Sequence, residues 1–168
     1  VADGPPGRLQ CISYAPSASA RVTPRGVTPD KLRADLALLA RRAGCVRTYT
    51  VSEGFDQVPA VAAELGLQVL LGAWIGGDAT HNEREIARVI EVANQHRGVI
   101  RAVIVGNEVL LRHELPPEQL AILAKNDRNF DQRDVITTAG YDYLGGALRD
   151  ADGVPPELAL DRRYPGAV

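Results

Sequence analysis

Short β-branched runs alternate with longer stretches of helical spacing from residue 11 to residue 139, and no other feature restricts the fold as strongly. Neighbouring parallel strands need a crossover of a dozen residues or more, usually a helix. Strand–helix alternation therefore implies βα units around a parallel sheet. CISYAPS opens the series. Thr28-Pro29 then reads as an N-cap with proline at the first helical position, and Leu32, Leu36 and Leu39 recur on one face until Gly44 closes the helix.

The second strand is CVRTYTV, residues 45–51, followed by a helix carrying Val58, Val61 and Leu65 that stops before Gly66, a residue suited to a left-handed C-terminal position. LQVLLGAWI is the third strand. Residues 82–96 form a strongly periodic helix, with Ile86, Val89, Ile90 and Ala93 expected on the buried face and Glu and Arg on the other. IRAVIVGNEVL is the fourth strand, Pro116-Pro117-Glu118 starts a helix with Leu120 and Leu123 inward, and VITTA, residues 135–139, is a fifth strand. Beyond it the rhythm fails. Residues 140–168 are rich in Pro, Gly and Asp, with at most a short helix at PPELAL. The division expected is a linker at 1–9, an α/β domain at 10–139 and an atypical tail at 140–168. The uneven unit length argues against a solenoid of near-identical repeats.

Composition narrows the partners. A formal net charge of −2 and a pI near 5.9 give no basic excess for a phosphate backbone, so nucleic acid is excluded as an expectation. No apolar run approaches the roughly 20 residues that span a bilayer, and VADGPPGRLQ lacks the regions of a signal peptide. Cys11 and Cys45 each open an apolar run and lack any CxxC spacing or His partner, so they read first as two small core residues, with a structural bridge or metal pair as the alternative. GAWIGG and YLGGAL miss the phosphate-loop patterns, HNEREI is not HExxH, and His81, His96 and His113 form no ligand set. Neither cofactor nor metal is expected.

In parallel α/β architectures the carboxyl ends of the strands share one mouth, where ligands bind. Those ends are polar here: Ser13-Tyr14, Arg47 with Tyr49, Trp74, Asn107-Glu108 and Thr137-Thr138. Aromatic faces beside an arginine, an amide and a carboxylate suit a sugar, whose rings stack while its hydroxyls need directional partners. Each residue also has a plainer reading, the aromatics as packing, Arg47 as an ion-pair partner, and Glu108 as a strand-end carboxylate paired with Arg47 or Arg112.

YAP at 14–16, VRTY at 46–49, LGAWIG at 71–76, NEREI at 82–86 and VGNEVLLR at 105–112 resemble, in order and spacing, the first half of a bacterial glycoside hydrolase family 17 enzyme. That family comprises β-1,3-glucanases and β-glucan transglycosylases. The resemblance runs from about residue 10 to residue 125 and more weakly to residue 139. It implies a (β/α)8 TIM-barrel type fold of which strands one to five are present, with an extracytoplasmic setting. By the same resemblance Glu108 is the general acid/base of a retaining mechanism and Asn107 the amide that bonds the sugar 2-hydroxyl. Tyr14, Arg47, Tyr49 and Trp74 are the expected substrate-binding residues.

A retaining enzyme also needs a nucleophilic carboxylate about 5 to 5.5 Å from the acid. In the family this is a glutamate at the end of strand seven, in a Glu-Thr-Gly-Trp type context that this sequence lacks. Glu53, Glu114, Glu118, Asp142, Glu157 and Asp161 are the remaining carboxylates near loops or tail, none in that motif. Two readings follow: a hydrolase or transglycosylase of β-1,3-linked glucan lacking its nucleophile-bearing half, or a non-catalytic β-glucan-binding or assembly half-barrel. An open half-barrel has unpaired strand edges and an apolar inner face. A homodimer, a complementing C-terminal half or the tail itself would have to cover them.

Overall fold

The computed structural model describes residues 8–16, 27–124 and 134–138. Five strands, β1 Ile12–Ser13, β2 Cys45–Arg47, β3 Gln68–Ala73, β4 Ile100–Asn107 and β5 Asp134–Thr138, form one sheet in chain order. Every neighbouring pair is parallel, as the βα rhythm requires. Between them run α1 Pro29–Ala40, α2 Val58–Glu64, α3 Ala79–Gln95 and α4 Pro117–Ala124. The expected tail, with Asp142, Glu157 and Asp161, lies outside the described residues. No helix among the described residues is long and apolar enough to cross a membrane.

Sequential parallel order with crossovers of one hand places successive helices on one side of the sheet. The packing agrees with that geometry. Val46, Val69, Leu71, Ala73, Val103 and Val105 from alternate strand positions share one buried cluster with Leu32 and Leu36 of α1, Val58 and Val61 of α2, Val89 and Ala93 of α3, and Leu120 of α4. Fully burying each such side chain contributes roughly 1.5 to 3 kcal/mol, so this layer is the main source of cohesion.

Helix ends follow the local chemistry of the sequence. The Thr28 hydroxyl accepts from Lys31 N at 3.3 Å with Pro29 following, which fixes the start of α1. Gly66 takes φ +67° beyond α2. Helix α3 begins three residues before the expected Asn82, because the Asp78 carboxylate accepts from Thr80 N at 2.9 Å and His81 N at 3.1 Å. Strand β2 is shorter than CVRTYTV suggests. Past Arg47 the Thr48 hydroxyl accepts the Gly72 N–H at 3.0 Å, so a side chain takes over from the backbone ladder.

The two cysteines require a correction. They are not separate core residues: Cys11 and Cys45 form a disulfide. The register explains it, since Ile12 pairs with Val46 and the preceding residues therefore stand opposite each other at the amino end of the sheet. The backbone bridge between Leu9 and Ala43 continues the same alignment.

Candidate active site at the carboxyl end of the sheet

Side-chain alternation decides which residues reach the mouth. Val46, Leu71 and Ala73 face the helices, so Arg47 and Trp74 face the opposite, inner side. Tyr49, two residues beyond Arg47, lies under it, with the guanidinium carbon 4.4 Å from the ring centroid. A cation over an aromatic face is attracted by the ring quadrupole, and the pair holds both groups in place.

Asn107 breaks the alternation. Val103 and Val105 are core residues of the helix-facing side, and strict period two would put residue 107 beside them. Instead β4 advances three residues, from Ile104 to Asn107, while β5 advances two, from Ile136 to Thr138. This one-residue bulge turns the next side chain to the inner face. Gly106 supplies the bend at φ +78°, where a Cβ would stand 2.7 Å from Val109 Cγ2. The result is a direct bond across the sheet: Arg47 Nη2 donates to Asn107 Oδ1 at 2.7 Å, between residues 60 apart in the chain.

Glu108 follows at φ +53°, a left-handed conformation that costs a non-glycine residue roughly 1 to 2 kcal/mol. Such strain gathers at functional positions held by their surroundings. Its side chain is exposed at the strand end, and neither arginine bonds it. Arg112 is committed elsewhere. It donates to the Asn107 carbonyl and to Ile75 O at 3.2 Å, bonds Glu114 Oε2 at 2.6 Å, and lies 4.4 Å over the Trp74 ring. One arginine thus ties the ends of β3 and β4 together.

The structure brings Arg47, Tyr49 and Asn107 together and sets Trp74 beside the backbone of Asn107 through Arg112. Tyr14 is placed differently. It is 6% exposed within the core cluster, its ring centroid lies 6.1 Å from that of Phe55, and its hydroxyl donates to Asp35 Oδ2 of α1 at 2.9 Å. Burial first, then the Asp35 hydrogen bond and charge, raise its phenol above the ordinary tyrosine range. Alternation carries the reason: Ile12 pairs with Val46 of the helix-facing side, and Tyr14 is two residues further on.

Sequence reasoning missed one site-proximal residue. Glu85, expected on the solvent face of α3, is 2% exposed and accepts four hydrogen bonds from the segments that follow β2 and β3. Its signal was the polar pair Thr50 and Ser52 beyond the second strand, which only the fold brings to the same helix. Among the described residues no group of three His, Cys, Asp or Glu side chains could hold a metal ion.

A parallel sheet in chain order, with helices packed on one side and polar residues at the carboxyl ends of its strands, defines an α/β domain. Residues 11–144 match the model of the BtgE/BtgC glycoside hydrolase domain, and the chain belongs to that family. It is 33% identical over 124 residues to a glucan 1,3-beta-glucosidase of Schizosaccharomyces pombe, covering 70% of this chain and 36% of that protein. Its fold is like that of the glycoside hydrolase family 17 β-1,3-glucanosyltransferase of Rhizomucor miehei, with TM-score 0.70 and 22% identity over 83% of this chain and 52% of that one. An active-site mutant of that enzyme, in complex with laminaritriose, matches equally. The chain thus spans about a third of the S. pombe protein and about half of the R. miehei enzyme.

Proposed function

We propose that this domain acts on β-1,3-linked glucan by a retaining mechanism, as a hydrolase or a transglycosylase, with Glu108 as general acid/base. The observation that carries the reading is the bulge at the end of β4, which turns Asn107 to Arg47 and leaves the next residue, Glu108, exposed at the strand end. An amide fixed through its carbonyl by a guanidinium has a set orientation toward a ligand. In this role it bonds the sugar 2-hydroxyl, an interaction that strengthens as the oxocarbenium-like transition state forms.

Glu108 first gives its proton to the glycosidic oxygen as the bond to the anomeric carbon breaks. It then takes a proton from the water or sugar hydroxyl that attacks the glycosyl-enzyme. The nucleophile that forms that intermediate is, by the family resemblance, a carboxylate of strand seven. Trp74 and Tyr49 each carry a guanidinium on one face, so a sugar ring stacks on the other. Membership of the glycoside hydrolase family and the β-1,3-glucan enzymes among its relatives support this substrate class. The Cys11–Cys45 disulfide supports an oxidising, extracytoplasmic setting, where such bonds persist.

The test is turnover of laminari-oligosaccharides by the protein at its natural length, with retention followed at the anomeric centre. Glu108→Gln should lower the rate by about 10² to 10⁴-fold, the usual contribution of a general acid, and leave the fold intact. Undiminished turnover in that variant would remove Glu108 from the mechanism. Oligosaccharide binding with no turnover by the unaltered protein would favour a glucan-binding role instead.

A further inference from the structure

Glu85 is a buried carboxylate for which the described residues provide no cation. Its Oε1 accepts from the Thr50 hydroxyl at 2.5 Å, Val51 N at 2.9 Å and Trp74 N at 3.1 Å, and its Oε2 from the Ser52 hydroxyl at 2.6 Å. Burying a charge is costly unless hydrogen bonds replace its water, and four neutral donors do so here. The donors belong to two neighbouring strand ends. Thr50 to Ser52 follow Tyr49 beyond β2, and Trp74 directly follows β3.

Asn82 lies one turn earlier on the same face of α3. Its Oδ1 accepts from Gly76 N at 2.9 Å, and its Nδ2 donates to Gly76 O at 2.7 Å. The backbone on either side of Ile75 is therefore held twice by one helix, at Trp74 by Glu85 and at Gly76 by Asn82. Fixing the Trp74 peptide fixes the direction in which its indole leaves the chain.

We infer that Glu85 is a positioning residue of the glucan site, setting through one buried carboxylate the orientation of Trp74 and of the segment that begins at Tyr49. This rests on the reading that those two rings receive sugar. Glu85 touches no substrate and acts through the strand ends it holds. A hydrophobic side chain of similar size would fill the same space but leave the donors of Thr50, Val51, Ser52 and Trp74 unpaired. A glutamine keeps the shape while turning an amide N–H toward donors.

Trp74 is the sole tryptophan of the chain, so its fluorescence reports this position alone. The experiment compares the unaltered 168-residue chain, Glu85→Gln and Leu36→Ala, a core truncation in α1 that removes no hydrogen bond of the network. Each is measured for cooperative unfolding, acrylamide quenching of Trp74, and titration with laminari-oligosaccharide. Glu85→Gln should remain cooperatively folded, with Trp74 more readily quenched and oligosaccharide affinity about tenfold weaker, as for a displaced binding group. Leu36→Ala should lose stability and keep both Trp74 readouts.

Unchanged quenching in folded Glu85→Gln would overturn the inference, and so would an equal change in Leu36→Ala, which would make Glu85 merely structural. Should Glu85→Gln fail to fold, the double change Thr50→Val with Ser52→Ala removes two donors and leaves the carboxylate on backbone N–H groups. It should raise quenching in the same direction, and wild-type quenching there would equally overturn the inference. If the unaltered chain binds no oligosaccharide, the glucan reading fails, and the quenching comparison still decides what Glu85 positions.

Discussion

At the amino end of the sheet, β1 and β2 are joined by a covalent bond between Cys11 and Cys45, and Arg8 closes the adjoining turn by donating to the carbonyls of Ala40 and Ala43. At the carboxyl end, β2, β3 and β4 are joined by side chains that hydrogen-bond across the sheet, Arg47 to Asn107 and Arg112 to Ile75 and Asn107. The first kind of link limits the unfolded chain and asks little of orientation. The second contributes less cohesion per bond but depends on direction, which is what a site needs. Among the described residues, left-handed backbone at non-glycine residues follows the same division, whereas at the amino end only a glycine, Gly66 before β3, takes it. Gly106, Glu108 and His113 all have positive φ and all lie in or just beyond the end of β4.

The sharpest test of this division is to cut the amino end. A bridge spanning 34 residues should contribute roughly 3 to 4 kcal/mol by the chain-entropy account, so the double change Cys11→Ser with Cys45→Ser should lower the free energy of urea unfolding by about that much. Oligosaccharide affinity and Trp74 emission should stay unchanged. A parallel loss of affinity would mean that the two ends are mechanically coupled and the comparison fails.

Gly106→Ala cuts the other end. Placing an L side chain at φ +78° costs roughly 1 to 2 kcal/mol, to which the close approach of Val109 adds. The chain should fold with modestly reduced stability but lose glucan turnover out of proportion, because relaxing the bulge returns Asn107 toward the helix-facing side. Turnover falling only in step with stability would show that the bulge serves packing alone.

The fold was largely legible because its signals are local. Thr28 with Pro29, Gly66, and the spacing of Leu32 with Leu36 and of Val58 with Val61 each act within one element, and each appears where expected. The pairing partners were not local. Cys11 meets Cys45 only once β1 and β2 are in register, and Glu85 is buried only because Thr50, Ser52 and Trp74 converge on it. A helical wheel assigns a glutamate to solvent and cannot see donors 35 and 11 residues away. The Asn107-Glu108 pair was visible as a motif, yet the face it occupies depends on a bulge that no count of alternating residues contains. Tyr14 is the opposite case. Simple alternation from Ile12 sends it to the helices, although an aromatic at a strand end equally suits a ligand-binding mouth.

Tyr14 also offers the gentlest test, because it stands at the carboxyl end of β1 yet is packed like the core. Its hydroxyl donates to Asp35, which also receives the Lys31 ammonium at 2.6 Å, and burial with that hydrogen bond raises the phenol pKa. A raised pKa means that the folded state favours the protonated phenol. Below the ordinary tyrosine value of about 10 both states are protonated and the stabilisation is complete. Above it the unfolded chain releases its proton while the folded chain keeps it, so stability falls as pH rises. Tyr14→Phe should cost about 1 kcal/mol at neutral pH, the worth of one hydrogen bond, and should lose stability less steeply than the unaltered chain at alkaline pH. Urea unfolding in a pH series from neutral to beyond 10 reads both effects, and other alkaline-titrating groups common to the two proteins cancel in the difference. A gap between the two curves that stays constant with pH would mean that this phenol ionises as it would in water, and would return Tyr14 to the solvent side of the mouth.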